Sequence, residues 1–260
     1  MGREVSTGTV EANGANLYYE VRGTGPTLLF IPGAEGDAEE YLRVAEILED
    51  DFTILSYDRR GFSRSGRPAD YAGTTVLEQT EDAAALLRTL DLGPALLWGN
   101  SSGAIIALGV VLEHPELVSK AMLHEPPLCA GMSDPDAVMA GLVQATANGK
   151  VPFLKMLTGD EVYAGLSAAY RSRLEADDTW MKYEFANFET YHPSDEQLAH
   201  VQKPVQILYG ADTLPFFGEV ARWLADRMGS QAKTIAGNHG AHYHVPEAIA
   251  EAIREFASAD

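Results

Sequence analysis

The ten residues from Ala95 to Ala104, Ala-Leu-Leu-Trp-Gly-Asn-Ser-Ser-Gly-Ala, constrain this chain more than any other stretch. The apolar run Ala95 to Trp98 reads as a buried parallel strand. From Ser102 an Ala/Ile/Leu/Val-rich segment reads as a helix running to about Glu113. Between them lies Gly99-Asn100-Ser101-Ser102-Gly103, a G-x-S-x-G pattern. Its two glycines let strand and helix approach closely, while Ser101 is held in a sharp, strained turn with its hydroxyl above the sheet. The same turn puts the backbone N–H of Ser102 at a helix N-terminus, where it can meet a developing oxyanion.

The rest of the chain fits around that turn. Val5 to Val21 alternates about the turn dipeptide Asn13-Gly14 and predicts an antiparallel hairpin. Strands are predicted over Thr27 to Ile31, Phe52 to Tyr57, Val118 to Leu123, Val205 to Tyr209 and Lys233 to Ile235. Helices are predicted over Glu39 to Leu48, Thr75 to Leu90, Phe217 to Met228 and Pro246 to Phe256. Alternating strands and helices imply an α/β fold with a mostly parallel, doubly wound sheet, whose ligand sites lie at the carboxyl ends of the strands. The alternation lapses from about Leu128 to His200, where Met, Leu and aromatic residues suggest helices. The expected organisation is therefore a core of residues 1–127 and 201–260 with a helical cap inserted at 128–200. Within the cap, the aromatic-rich segment Trp180 to Tyr191 hints at an apolar or aromatic substrate.

With 260 residues, 46% of them hydrophobic, the chain can bury a large core. Its formal charge of −19 argues against a nucleic acid or an anionic membrane surface as partner, since either needs a basic patch. The single Cys129 cannot form an internal disulfide, no apolar run approaches a bilayer span, and the first residues lack a signal-peptide pattern. A cytoplasmic location is expected. Composition says nothing of oligomeric state.

A serine hydroxyl becomes a competent nucleophile when an imidazole accepts its proton, and the imidazole in turn needs a carboxylate to fix its tautomer. Three histidines, His239, His242 and His244, share one loop after the last strand and compete for that role. No carboxylate or cysteine lies at ligand spacing beside them, so no metal is expected.

Four segments appear in order: the loop Pro32-Gly33-Ala34-Glu35-Gly36, then Asp58-Arg59-Arg60-Gly61, the Ser101 turn, and a Gly-x-His loop before the final helix. With these the chain resembles the α/β-hydrolase superfamily over nearly its whole length. That resemblance implies that His239, seven residues before Pro246, is the base, with His242 lining the pocket or its rim. Of two candidate acids, Glu125 and Asp212, the second lies one place early for the usual position after strand Val205 to Tyr209, and the resemblance favours Glu125. The stretch around Ser101 together with His124-Glu125-Pro126 is similar to the lactonase branch that opens the zearalenone macrolide, where the acid is a glutamate at this place. The implied oxyanion donors are the amides of Ser102 and Ala34, with Gly33 as the fallback. Gly33, Trp180, Tyr183 and His242 are expected around the substrate, a small-molecule ester or lactone. The implied activity is that of a serine hydrolase working through an acyl-enzyme without a cofactor. The same fold and residues also serve methyl esterases and carbon–carbon bond hydrolases, and a non-catalytic ligand-binding protein would keep the same fold.

Overall fold

A computed structural model describes residues 5–68 and 70–259, without the side chains of Met181, Ala186 and Asn187. Eight strands among these residues form one sheet: β1 (Ser6–Ala12), β2 (Ala15–Gly23), β3 (Thr27–Ile31), β4 (Thr53–Tyr57), β5 (Ala95–Asn100), β6 (Val118–His124), β7 (Val205–Gly210) and β8 (Lys233–Ile235). Their order is β1-β2-β4-β3-β5-β6-β7-β8, with β2 antiparallel to both neighbours and every pair from β4 to β8 parallel. The central strands read as unbroken apolar runs because both of their faces are covered; β3, β5 and β6 are buried along nearly their whole length. β1, at the edge, keeps the alternation that predicted it.

Helices α1 (Leu42–Leu48), α2 (Val76–Thr89) and α3 (Ser102–Glu113) precede β6. The Thr75 side chain caps α2 by accepting from the Glu78 amide. α3 is apolar all round and its first ten residues are buried, as expected of a helix at the centre of the fold. Between β6 and β7 lie α4 (Pro135–Thr146), α5 (Lys150–Thr158), α6 (Asp160–Gly165), α7 (Ala168–Ala176), a π-helical turn (Trp180–Glu184), α8 (Phe185–Phe188) and α9 (Asp195–Ala199). Phe153, Trp180 and Phe188 of this helical insert join the same buried cluster as β3, β5 and α3. α10 (Pro215–Arg227), α11 (Ala241–His244) and α12 (Pro246–Ser258) complete the chain. α11 is a single turn within the segment that the sequence reads as loop, and β5 runs two residues past the predicted end at Trp98.

Two close approaches fix the centre of the sheet. A Cβ at Gly99 would stand 2.3 Å from the Gly103 carbonyl oxygen, and one at Gly103 would stand 2.1 Å from that of Ile31. Only glycine at both positions lets α3 lie against β3 and β5. From β3 the chain leaves to one side to form β4 and returns on the other to form β5, so the loops after β3 and β5 flank a switch point of the sheet.

Candidate active site

Ser101 occupies the turn from β5 to α3 with φ 56° and ψ −128°, a strained backbone for a residue bearing a side chain. Its amide donates to the His124 carbonyl at 3.0 Å, tying the turn to the end of β6. Glu125 follows β6 directly and also has a positive φ of 52°. The Glu125 amide donates to Leu208 of β7 at 2.9 Å, and its carboxylate reaches two partners: Oε1 accepts from the Gly210 amide at 2.7 Å and Oε2 from His239 Nδ1 at 2.6 Å. Burial by itself would raise the Glu125 carboxyl. The His239 hydrogen bond and the neighbouring imidazoles outweigh burial and hold it at about 2, so it is ionised at neutral pH.

His239 stands in the loop before α11, its ring stacked on Phe217 at 4.4 Å and 15°. Ser101 and His239 border the same cavity, and no hydrogen bond joins them among the described residues. Asp212 is exposed; among the described residues its side chain makes no hydrogen bond, and its amide donates to the Gly237 carbonyl at 3.0 Å. Of the two carboxylates that the sequence left open, the one bonded to His239 is Glu125. His124 is wholly buried between the Trp98 and His239 rings; its Nδ1 accepts from Asn100 Nδ2 at 2.7 Å, and burial pushes it down to about 4, leaving it neutral. Sequence reasoning missed His124 and Asn100. The only signal for them was their place beside Glu125 and Ser101 at the ends of neighbouring strands.

Ala34 borders the cavity with Ser101 and its amide has no acceptor among the described residues, while the Ser102 amide opens α3 and has none in its own helix. Gly33 differs from expectation. Its amide donates to both oxygens of Glu40, at 3.2 and 3.0 Å, and its carbonyl accepts from Arg59 at 2.6 Å, so it has no donor to offer. It backs the Ser101 turn, where a Cβ would meet Ser101 Cβ at 3.3 Å, and is not part of the cavity wall. Tyr183 is also displaced from the expected role. The π-helical turn directs Trp180 and Glu184 inward, so Tyr183 between them packs edge-on against Tyr71 at 5.1 Å, away from the cavity.

The cavity above Ser101 encloses about 530 Å³ of free space, its mouth included. Phe153, Trp180, Phe185 and Phe188 of the insert and Phe216 and Phe217 beside α10 give it an apolar, aromatic wall. The Trp180 indole N–H is buried and has no partner among the described residues. The three competing histidines separate cleanly: His239 bonds Glu125, His242 is buried in a smaller side cavity, and His244 donates to the Thr158 carbonyl. No group of three or more His, Cys, Asp or Glu side chains able to hold a metal occurs among the described residues, nor does a helix long and apolar enough to cross a membrane.

Residues 26–184 match the model of a family described as alpha/beta hydrolase fold. The chain belongs to this family. It is 31% identical over 250 residues to an uncharacterized hydrolase, YraK, of Bacillus subtilis, covering 92% of each. It is 26% identical over 258 residues to a zearalenone hydrolase of Bionectria ochroleuca, covering 94% of each. Among solved structures, the enol-lactonase from Burkholderia xenovorans superposes with a TM-score of 0.79 at 17% identity, over 97% of this chain and all of that one. This α/β-hydrolase is therefore an enzyme of the hydrolase class.

Proposed function

We propose that the enzyme hydrolyses a carboxylic ester or lactone of an apolar or aromatic substrate through an acyl-enzyme on Ser101. The observation that carries this reading is the 2.6 Å bond from an ionised, buried Glu125 to His239, at the wall of an aromatic cavity that Ser101 shares. In this reading His239 takes the Ser101 proton as Oγ attacks the carbonyl carbon, and Glu125 holds the imidazole in the tautomer whose Nε2 can accept. The free amides of Ala34 and Ser102 receive the oxyanion, which they stabilise more than the planar carbonyl. His239 then returns the proton to the leaving alcohol, and a water repeats the sequence to release the acid. These steps use no cofactor, and the partner is a small molecule in the cytoplasm.

The helical insert acts as a cap that shapes the substrate pocket. A macrolactone of the zearalenone type is the favoured substrate, on two grounds. One is the name of two relatives at 26% and 27% identity, and the other is a chamber walled mostly by aromatic and aliphatic side chains, suited to a large apolar ring bearing few polar groups. The test is hydrolysis of p-nitrophenyl acetate and butyrate, an aryl methyl ester and a resorcylic macrolactone by wild type and Ser101→Ala. Turnover that vanishes in Ser101→Ala is expected, with the macrolactone well ahead of the simple esters. Undiminished turnover in that variant would overturn the nucleophile, and turnover of simple esters alone would overturn the lactone.

A further inference from the structure

Beside the aromatic chamber, and sharing Ala34, Ser101, Leu157 and His239 with it, lies a second cavity of opposite character. Its remaining wall includes Glu35, Glu40, Asn100, Thr158 and His242. It is polar and has room for a water molecule.

His242 is 2% exposed, and neither of its ring nitrogens has a hydrogen-bond partner among the described residues. An imidazole buried with both nitrogens unsatisfied is costly unless a small polar molecule completes it. Its Nε2 stands 3.9 Å from Glu40 Oε1, too far for a direct bond and within the span one water bridges. Glu40 is itself fixed by the two bonds it accepts from the Gly33 amide, so the far side of the annex is rigid. Burial holds the His242 imidazole well below its ordinary range, and the neutral ring offers one donor and one acceptor. The aromatic chamber has no such set of groups and would be filled by substrate.

We propose that this annex is the station of the hydrolytic water, held between His242 and Glu40 next to the acylated Ser101; the inference rests on the acyl-enzyme reading above. Once the alcohol has left, the water oxygen bonds to the acyl carbon while one of its protons passes to His239 Nε2. The bond between the acyl carbon and Ser101 Oγ then breaks, the same proton returns to Oγ, and the carboxylic acid departs. His242 and Glu40 touch the attacking water but neither the acyl group nor Ser101 in this scheme; they position that water for the second half of the reaction.

Stopped-flow release of p-nitrophenolate from p-nitrophenyl butyrate separates the two halves, with mass analysis of the quenched enzyme reporting acylated Ser101. In His242→Phe the first-turnover release is expected to stay within about threefold of wild type, steady-state turnover to fall about tenfold or more, and the butyryl adduct to accumulate. His242→Gln, which keeps a donor and an acceptor, is expected to recover most of the turnover. First-turnover and steady-state rates that fall by the same factor in His242→Phe, or that both stay unchanged, would overturn the assignment. Release by Ser101→Ala at the wild-type rate would instead sink the acyl-enzyme itself. A measurement on wild type alone covers the case in which His242→Phe fails to fold: at equal concentration methanol, which fits a water-sized annex, should form several times more butyryl ester than 1-propanol. Equal yields of the two esters would place the attacking nucleophile in the open chamber and refute the annex.

Discussion

Glu125 and Asp212 differ in environment more than in chemistry. Glu125 is fully buried, held by the Gly210 amide and His239 Nδ1, and kept at about 2; Asp212 lies in solvent with its carboxylate unengaged. An imidazole can be held in one tautomer only by the carboxylate it touches, so the two amides Glu125→Gln and Asp212→Asn should separate sharply. Glu125→Gln is expected to lower kcat by about 10³–10⁴-fold, and Asp212→Asn to stay within about twofold, measured on one p-nitrophenyl ester. Comparable losses in both variants would remove the assignment. The Ser101 turn was legible because a strand, two glycines and a helix are contiguous in sequence. The acid was legible only through the resemblance that favoured Glu125, because the choice between two carboxylates 87 positions apart depends on which of them the fold brings to His239.

The decisive element is the loop from Pro32 to Asp37, which carries the Ala34 amide and is held by contacts distant in sequence. The Glu35 carboxylate accepts from the hydroxyls of Tyr170 in α7 and Tyr243 in α11, and the Glu35 carbonyl accepts from Lys150 at 3.2 Å. Asp37 accepts from Arg173 Nε at 2.6 Å and from Arg64, and Arg59 links the Gly33 carbonyl to Glu184 of the insert through a wholly buried ion pair at 2.9 Å. The insert therefore holds the loop that bears Ala34 as well as walling the chamber. Removing one partner of a buried pair strands the other, so Glu184→Ala should cost about 3–5 kcal/mol of stability in a denaturant titration. Because Arg59 would also lose its fixed position under Gly33, kcat should fall more than KM rises. An unchanged midpoint with unchanged kcat would show that the loop is held by its other ties alone. None of these ties was readable from sequence: Asp58-Arg59-Arg60-Gly61 stood out as one of the segments that carry the resemblance, but Glu184 lies 125 positions away from Arg59. Tyr183 was misjudged for a related reason, since a π-helical turn changes which residues of a short aromatic run point inward.

For the whole molecule, the buried ionisable groups beneath the site give folding stability two opposed pH limits. Burial, followed by the nearby Glu35 charge, holds the Glu40 carboxyl well above its ordinary 4.5, so unfolding releases its proton. Its contribution is complete below pH 4.5 and is lost as pH rises toward the folded value. Burial holds His124 at about 4 against an ordinary 6.5, so unfolding lets it take up a proton. Its contribution is complete above pH 6.5 and is lost as pH falls toward 4. Glu40→Gln, which cannot ionise in either state, should gain melting temperature relative to wild type by a margin that widens by a few degrees from pH 5 to pH 8. A margin independent of pH would contradict the burial of a protonated Glu40. By itself the sequence determined the class of sheet, the strand that bears Ser101, the order of the segments and the acidic net charge, because periodicity, turn glycines and net charge act over short stretches or over the chain as a sum. The tertiary structure alone decided which carboxylate meets His239, that the Gly33 amide is already engaged, that Tyr183 faces away, and that His242 and Glu40 enclose a polar annex beside Ser101. The meeting of Glu125 with His239 and of His242 with Glu40 joins groups far apart in the chain, set by the packing of the strand ends and loops, while the Gly33 and Tyr183 outcomes turn on local backbone geometry that periodicity does not show.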